Sequence, residues 1–437
     1  MRSQFLKTFP DHPNSWLTVK RLRAHGSILA LALWSLYIWT LATPGLRDRN
    51  GNLKGTDFLH FYTLGTLAIE HRGADLYDMN AQAALSAQRV PEAADIHYLP
   101  LYPPQFSIFV APLAYLSYRW ALMLWWLASA SIYGACCYGI WRGCQNLRKY
   151  GTTVFILALA YPAFFHLVAW GQTSALALAC FTLTFFLLRE RKHFLAGMAL
   201  GCLAFKPQLG LVAAVVFLSI GAWKILAGAV LSAMAQFLIG ILYYGIEPFR
   251  RWISLLRNAR IIWPLLEPRP YQTHSLRTFW SILLPAAGHW NSPLSSSGLA
   301  FSLYILSAGI VLGLTIACWR NRATPLPLKY SALLFASVLV SPHLTVYDLV
   351  ILALAFLLLA DWLIVQPLTN STRWLGTLLY FSYMLPLIGP FARWTHVQFS
   401  VIAMAFALYF IWRICGQTRS NAGAAIIHAD TARIVSI

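Results

Sequence analysis

Three charged side chains interrupt long apolar runs. Asp57 follows Gly55-Thr56 and opens DFLHFYTLGTLAIE; Lys206 stands between two apolar stretches beside Pro207 and Gln208; Asp348 begins the apolar part of SPHLTVYDLVILALAFLLLA, five residues after His343. Ionisable residues in such surroundings are expensive and usually functional. A carboxylate there can take a proton from a hydroxyl. Lysine, and arginine with its fork of donors, can hold a phosphate. Each of the three also has a structural alternative: Asp57 as a helix N-cap, Lys206 snorkelling to an interface, and Asp348 as a carboxylate favoured at a helix start.

The rest of the chain says what must position them. Of 437 residues, 59% are hydrophobic and only 11% charged, where a soluble domain has about 25%. That excludes a cytosolic enzyme, a disordered regulator and a coiled coil. Apolar stretches of roughly 17–23 residues recur, about the length an α-helix needs to cross ~30 Å of hydrocarbon. The expected fold class is therefore all-α, a polytopic transmembrane bundle. The net charge of +19 reads as the lysine and arginine excess that orients membrane proteins. No basic stripe with interleaved aromatics argues for nucleic acid. The seven cysteines fall in apolar spans or at cytoplasmic ends, so neither a disulfide framework nor a Cys-ligated metal is expected. The histidines show no metal-ligand spacing, and no nucleotide-binding or serine-hydrolase motif appears; no cofactor and no metal are expected.

Lys20, Arg21, Arg23 and His25 precede the first apolar stretch and place residues 1–26 in the cytoplasm. No cleavage signal follows that stretch, which reads as a retained first helix. Keeping the basic connections Arg142–Lys149, Arg189–His193 and Arg320–Lys329 inside, with the tail after Trp412, gives twelve spans. They lie near 27–43, 119–141, 152–169, 172–188, 194–205, 208–220, 223–243, 298–318, 328–340, 344–364, 373–389 and 396–412. One membrane domain then covers 27–413, with a cytoplasmic tail at 414–437 and outer loops near 44–103 and 245–297. Residues 104–118 are short and proline-interrupted and read as re-entrant or interfacial. The pair meeting at Lys206-Pro207 reads as a broken hairpin.

This orientation brings Lys206, Asp348, His343 and the Gly171-Gln172 pair to the same membrane level as both outer loops. The first loop carries Asp48, Asp57, Glu70, Asp75, Asp78, Glu92 and Asp95, seven of the fourteen acids. Residues 57–73 and 80–90 have helical spacing and are expected as amphipathic helices at the outer interface. The second loop carries Arg250, Arg251, Arg257, Arg260, Arg269 and Arg277 against Glu247 and Glu267. Those arginines either cradle a lipid phosphate or anchor an interfacial helix, RRWISLLRNARIIW, to headgroups.

A carboxylate and several cations at one face, without a nucleotide motif, suit transfer from a lipid-linked phosphate donor. The leaving phosphate needs cations as its charge grows, and the acceptor hydroxyl needs a base. A single carboxylate suffices for inversion by direct displacement, whereas retaining hydrolases pair two. The alternatives are a secondary transporter, which broken helices and midplane ions also mark, and a non-catalytic lipid-binding assembly subunit.

Segments 55–78 (GTDFLHFYTLGTLAIEHRGADLYD), 98–118 (YLPLYPPQFSIFVAPLAYLSY), 170–179 (WGQTSALALA), 196–212 (AGMALGCLAFKPQLGLV), 271–280 (YQTHSLRTFW) and 341–352 (SPHLTVYDLVIL) together resemble glycosyltransferase family 87. The resemblance implies a GT-C architecture, a polyprenyl-phosphate-sugar donor (typically carrying mannose) and chemistry on the extracytoplasmic face of a bacterial inner membrane. The acceptor would be a hydroxyl on a lipid- or glycan-linked molecule. Asp57 matches the family's first-loop aspartate, taken as the catalytic base. Lys206 matches the lysine of the Lys-Pro motif, a donor-phosphate contact, with Arg251 and Arg277 as further candidates. Gln172 matches the Gly-Gln position. His274 and Ser275 fall where many members have an Asn-Gln-Ser-like segment, from which His274 departs. His343, Tyr347 and Asp348 fall in the Ser-Pro…Tyr-Asp segment. His60, Tyr102 and Gln208 complete the candidate substrate contacts.

Overall fold

The computed structural model describes residues 16–258, 269–284 and 298–435, with side chains described through residue 417. Among these residues the regular structure is helical, with only two isolated β-bridges. The helices are α1 (Val19–Leu41), α2 (Phe58–Ile69), α3 (Met79–Arg89), α4 (Pro104–Val110), α5 (Tyr118–Gly143), α6 (Gly151–Ala160), α7 (Pro162–Trp170) and α8 (Ser174–Arg189). There follow α9 (His193–Gly201), α10 (Pro207–Ser219), α11 (Trp223–Tyr244), α12 (Glu247–Arg257), α13 (Leu276–Leu283), α14 (Gly298–Arg320) and α15 (Leu326–Val340). The last four are α16 (Leu352–Ile364), α17 (Asn370–Met384), α18 (Ala392–Thr395) and α19 (Phe399–Val435).

Among the described residues seven helical stretches are long and apolar enough to cross a membrane: α1, α5, α11, α14, Val346–Ile364, Asn370–Thr395 and Phe399–Gln417. An eighth is obtained if the bent pair Leu147–Ala160 and Pro162–Trp170 is one span. Their lengths explain this: α5 at 26 residues extends about 39 Å. Large apolar side chains such as Ile28, Leu31 and Leu36 on α1 point outward, as lipid-facing residues do. The chain is a multi-pass helical membrane protein. The remaining segments of the expected twelve are helical but short, α8, α10 and α15 among them. Every residue of α15 from Tyr330 to Leu339 is buried, so protein surrounds it.

Two boundaries differ from expectation. Thr18 caps α1 by accepting from the Arg21 amide at 3.3 Å, so the first helix begins at Val19, and Lys20 to His25 form its opening turns. At the other end α19 continues helically through the expected tail to Val435. Arg260 and Glu267 lie outside the described residues.

The first outer loop holds the main correction. Residues 58–69 are no interfacial helix: every residue of α2 from Phe58 to Ala68 is buried. The polar positions are absorbed by the backbone, with Thr63 and Thr66 donating to the carbonyls of Leu59 and Tyr62, each at 2.9 Å. Gly65 lets the Val110 carbonyl approach; a Cβ there would lie 2.8 Å from it. Residues 104–118 supply that neighbour. They form α4 and the tight turn Ala111–Tyr115, which pack on α2 and are too short to cross.

The bent α6–α7 pair shows how broken backbone is tolerated. The two axes meet at 45° because Pro162 has no N–H for the Ala158 carbonyl. Tyr133 on α5 donates to that carbonyl at 2.9 Å. Tyr383 on α17 donates to the Leu157 carbonyl at 2.7 Å, and Trp34 on α1 to the Leu159 carbonyl at 2.9 Å. Three helices thus satisfy the acceptors that the break releases.

Helices α9 and α11 cross backbone to backbone. A Cβ at Gly197 would lie 2.0 Å from the Ile225 carbonyl oxygen, at Gly201 2.3 Å from that of Ala229, and at Gly228 2.1 Å from that of Phe194. Small residues four apart make this approach possible. It pins α9 just before the break at Lys206.

Candidate functional site

The turn between α7 and α8 is the hub. Gly171 ends α7 in the left-handed conformation, φ +68°, and a Cβ there would strike Phe58 at 2.7 Å. Trp125 holds its carbonyl at 2.8 Å. The Asp57 amide donates to the Trp170 carbonyl at 2.9 Å. Tyr118 donates to the carbonyls of Lys54 and Gly55, and Tyr98 to that of Thr56. The segment carrying Asp57 is thereby fixed against the hub from both sides.

Residues 172, 173 and 174 each reach a different partner. Gln172 Nε2 donates to Asp57 Oδ2 at 2.6 Å. Gln172 Oε1 accepts from the Tyr102 hydroxyl at 3.5 Å, which also meets Thr173 Oγ1 at 3.1 Å. Ser174 donates to Asp348 Oδ1 at 2.5 Å and accepts from Lys206 Nζ at 2.9 Å. Asp57 stands at the start of α2 but its side chain caps nothing, so the N-cap alternative does not hold. Oδ1 of Asp57 has no hydrogen-bond partner among the described residues, and the residue is only half-buried. The surrounding apolar packing pushes its carboxyl up to about 6, against the lowering effects of the Gln172 hydrogen bond and the Lys206 charge.

Lys206 and Asp348 form a buried ion pair, 2.6 Å between Nζ and Oδ1, with 6% and 3% of each residue exposed. Pro207 sits at the first position of α10, where its missing N–H is harmless. Lys206 is therefore the joint between two helices and does not snorkel. Its ammonium also lies 5.2 Å from the centre of the Tyr347 ring. Asp348 does act at a helix start, since Oδ2 accepts from the amide and hydroxyl of Thr345, both at 3.2 Å. The helix-start reading of Asp348 therefore holds.

The second outer loop joins from above. Thr273 pairs with Thr345 in an antiparallel bridge, and the His274 amide donates to the Leu344 carbonyl at 2.9 Å. Arg277, 7% exposed, donates Nε to the Pro342 carbonyl. Residues 273–277 thus clamp the segment that carries His343, Tyr347 and Asp348. Ser275 caps α13, accepting from the Thr278 amide. His274 Nδ1 meets Ser400 Oγ at 2.7 Å while Nε2 is buried without a partner. The His343 carbonyl accepts from Ser341.

His60 is 5% exposed, with neither ring nitrogen partnered and the rings of Tyr98 and Tyr102 at 5.4 and 5.9 Å. Gln208 is half-buried in the first turn of α10. Arg251 lies apart. It is on the exposed face of α12, bonded to Glu247 and to the Ala74 carbonyl, and no hydrogen bond links it to Asp57 or Lys206. Ser174, Thr173 and Tyr98 were not singled out from sequence. Ser174 was legible only as the second residue after Gln172 in WGQTS. Among the described residues no three His, Cys, Asp or Glu side chains converge to hold a metal ion.

The sequence profile of glycosyltransferase family 87 matches residues 101–342. That interval holds Tyr102, the 171–174 hub, Lys206 and Arg277, while Asp57, His343 and Asp348 flank it in sequence and are drawn to it by the fold. Comparison with curated proteins and with solved structures gave no match. The profile covers more than half of the chain, so the chain belongs to glycosyltransferase family 87.

Proposed function

We propose that this glycosyltransferase moves a hexose, mannose being the first candidate, from a polyprenyl-phosphate-linked donor to a hydroxyl acceptor. The chemistry takes place on the extracytoplasmic face of a bacterial inner membrane, within a GT-C-type bundle. The observation that carries this reading is the state of Asp57. One oxygen is held by Gln172 at 2.6 Å and the other is free to accept, in a carboxyl whose affinity for a proton has been raised toward neutrality. A base poised near the working pH is the efficient one.

The acceptor hydroxyl gives its proton to Asp57 Oδ1 as its oxygen bonds to the anomeric carbon. The bond from that carbon to the phosphate oxygen breaks, the electron pair leaves with the polyprenyl phosphate, and the anomeric configuration inverts. Lys206 has three N–H donors; Asp348 and Ser174 take two, and the third meets the leaving phosphate. Arg277, tied through Nε to Pro342, adds charge from the outer loop. His60, Tyr102 and Gln208 line the sugar side, and His274, Ser275, His343 and Tyr347 support the outer wall.

Purified protein incubated with a panel of polyprenyl-phosphate-sugars tests this. One sugar should release the lipid phosphate, seen by mass spectrometry, and the product should carry the opposite anomeric configuration. Retention of configuration removes the single-base displacement, and release only from a nucleotide-sugar removes the donor class.

A further inference from the structure

A cavity lies away from this chemistry. It measures about 210 Å³ and opens between the basic start of α1, the middle of α5, the Leu147–Tyr161 segment, α16 and α17. Its deep end is Tyr161, whose hydroxyl donates to the Leu349 carbonyl at 2.7 Å. Its outer end is formed by Leu17, Leu147 and Ile364. Tyr118, beside Asp57, begins α5, and Leu147 follows the end of that helix, about 39 Å further on. The mouth therefore faces the leaflet opposite Asp57.

Two features describe what fits. The walls offer hydrocarbon and spent polar groups. The hydroxyls of Tyr133, Tyr161 and Tyr383 are all donated to backbone carbonyls, and Thr153 Oγ1 accepts from Arg23 at 2.7 Å. Water finds few partners there, so the space favours hydrocarbon. The mouth, by contrast, is cationic. Lys20, Arg21, Arg23, Arg148 and Lys149 are exposed and flank lining residues, and among the described residues none of them pairs with a carboxylate. The one acid beside the lining, Asp361, is occupied by the amides of Asn146 and Leu147 at 2.8 and 2.9 Å.

The geometry points to a binding site for an anionic diacyl phospholipid of the leaflet opposite Asp57, one acyl chain in the cavity and the phosphate among those five cations. Basic pockets between helices on the cytoplasmic side recognise such headgroups. The bend at Pro162 creates the space, and the tyrosines that satisfy the broken backbone line it.

The full-length protein in nanodiscs is exposed to phosphatidylglycerol carrying a photoactivatable diazirine at one acyl terminus, or to phosphatidylcholine with the same chain. Cross-links are mapped by peptide mass spectrometry. Phosphatidylglycerol should label residues 147–161 and 353–364 several-fold more strongly than phosphatidylcholine. R21Q/R23Q and R148Q/K149Q should each bring that preference close to parity, with elution and helicity unchanged. Ala360→Phe, or Leu357→Trp where the first fails to fold, should remove labelling of these peptides while leaving labelling elsewhere. Equal labelling by the two lipids overturns the proposal, as does labelling that persists with the cavity filled. It is equally overturned if undecorated polyprenyl phosphate displaces the probe at equal concentration, or if labelling appears only after removal of residues 1–15. Sugar transfer is not the readout, so failure here leaves the reading of Asp57 untouched.

Discussion

The site contains two carboxylates with opposite surroundings. Asp348 is 3% exposed, and its two oxygens accept from Lys206, Ser174 and Thr345. Asp57 is half-buried and accepts one hydrogen bond, from Gln172. A carboxylate whose lone pairs are committed holds other groups in place, and one with a free oxygen can receive a proton. Under the proposed mechanism Asp348 positions and Asp57 does the chemistry, although the sequence shows each merely as an acid at the start of an apolar run.

Replacing Asp57 gives the largest effect on turnover. Asp57→Asn keeps the shape and the contact with Gln172 but removes the base, and transfer should fall by about 10²–10⁴-fold. Stability moves the other way. The folded-state carboxyl sits above its unfolded value, so protonation favours the fold and ionisation through about pH 6 weakens it. Asp57→Asn should therefore melt at a higher temperature than the parent protein at pH 7.5, with the gap closing below pH 4. A lower melting temperature with retained transfer would exchange the roles of the two aspartates.

Asp348 should show the reverse pattern. Asp348→Leu leaves Lys206 buried without its counter-charge, and breaking a buried pair from one side costs about 3–5 kcal/mol. Lys206→Met combined with Asp348→Leu removes both charges and should regain most of the melting temperature. That double variant should still transfer poorly, because the leaving phosphate has lost its nearest cation. Recovery of activity along with stability would make the pair structural only.

Gln172 separates the two regions more finely. Its amide lowers the Asp57 proton affinity, so Gln172→Leu should push the carboxyl further up. Below the parent's value near 6, kcat/KM should drop about tenfold per pH unit, flat above it. In the variant the whole limb should move to higher pH, with roughly a three- to tenfold loss at pH 7. A uniform loss at every pH would mean that Gln172 orients substrate instead.

What the sequence disclosed follows from the range of the forces involved. Seven of the expected spans, the break at Lys206-Pro207 and the α3 segment ending before Pro91 are local, set by apolar length and proline chemistry, and their positions agree within several residues apart from the start of α1 and the far end of α19, while the other expected spans are shorter helices. The burial of α2 was not legible. Its helical spacing suggests one wet face, and elements supplied from outside it, chiefly α4 and the Ala111–Tyr115 turn, bury it. The pairing of Lys206 with Asp348 spans 142 positions, and no local pattern encodes it. Arg251 and Arg277 were equal candidates by charge; the bridge between Thr273 and Thr345 draws only Arg277 toward the 341–348 segment.

The smallest predicted effect tests whether the positioning region is held by its broken helix. Tyr133→Phe removes the donor to the Ala158 carbonyl, which Pro162 leaves without its usual helical partner. The Tyr161 amide approaches that carbonyl at 3.4 Å, so part of the loss is compensated. A drop of about 1 kcal/mol is expected, read as a modest fall in melting temperature with transfer nearly intact. Tyr161→Phe should cost a similar amount of stability but more activity. Its hydroxyl holds the Leu349 carbonyl at 2.7 Å, one residue beyond Asp348, and slack there reaches the ion pair. Equal losses of activity in the two variants would mean that the bend acts on the site as a whole and not through Leu349.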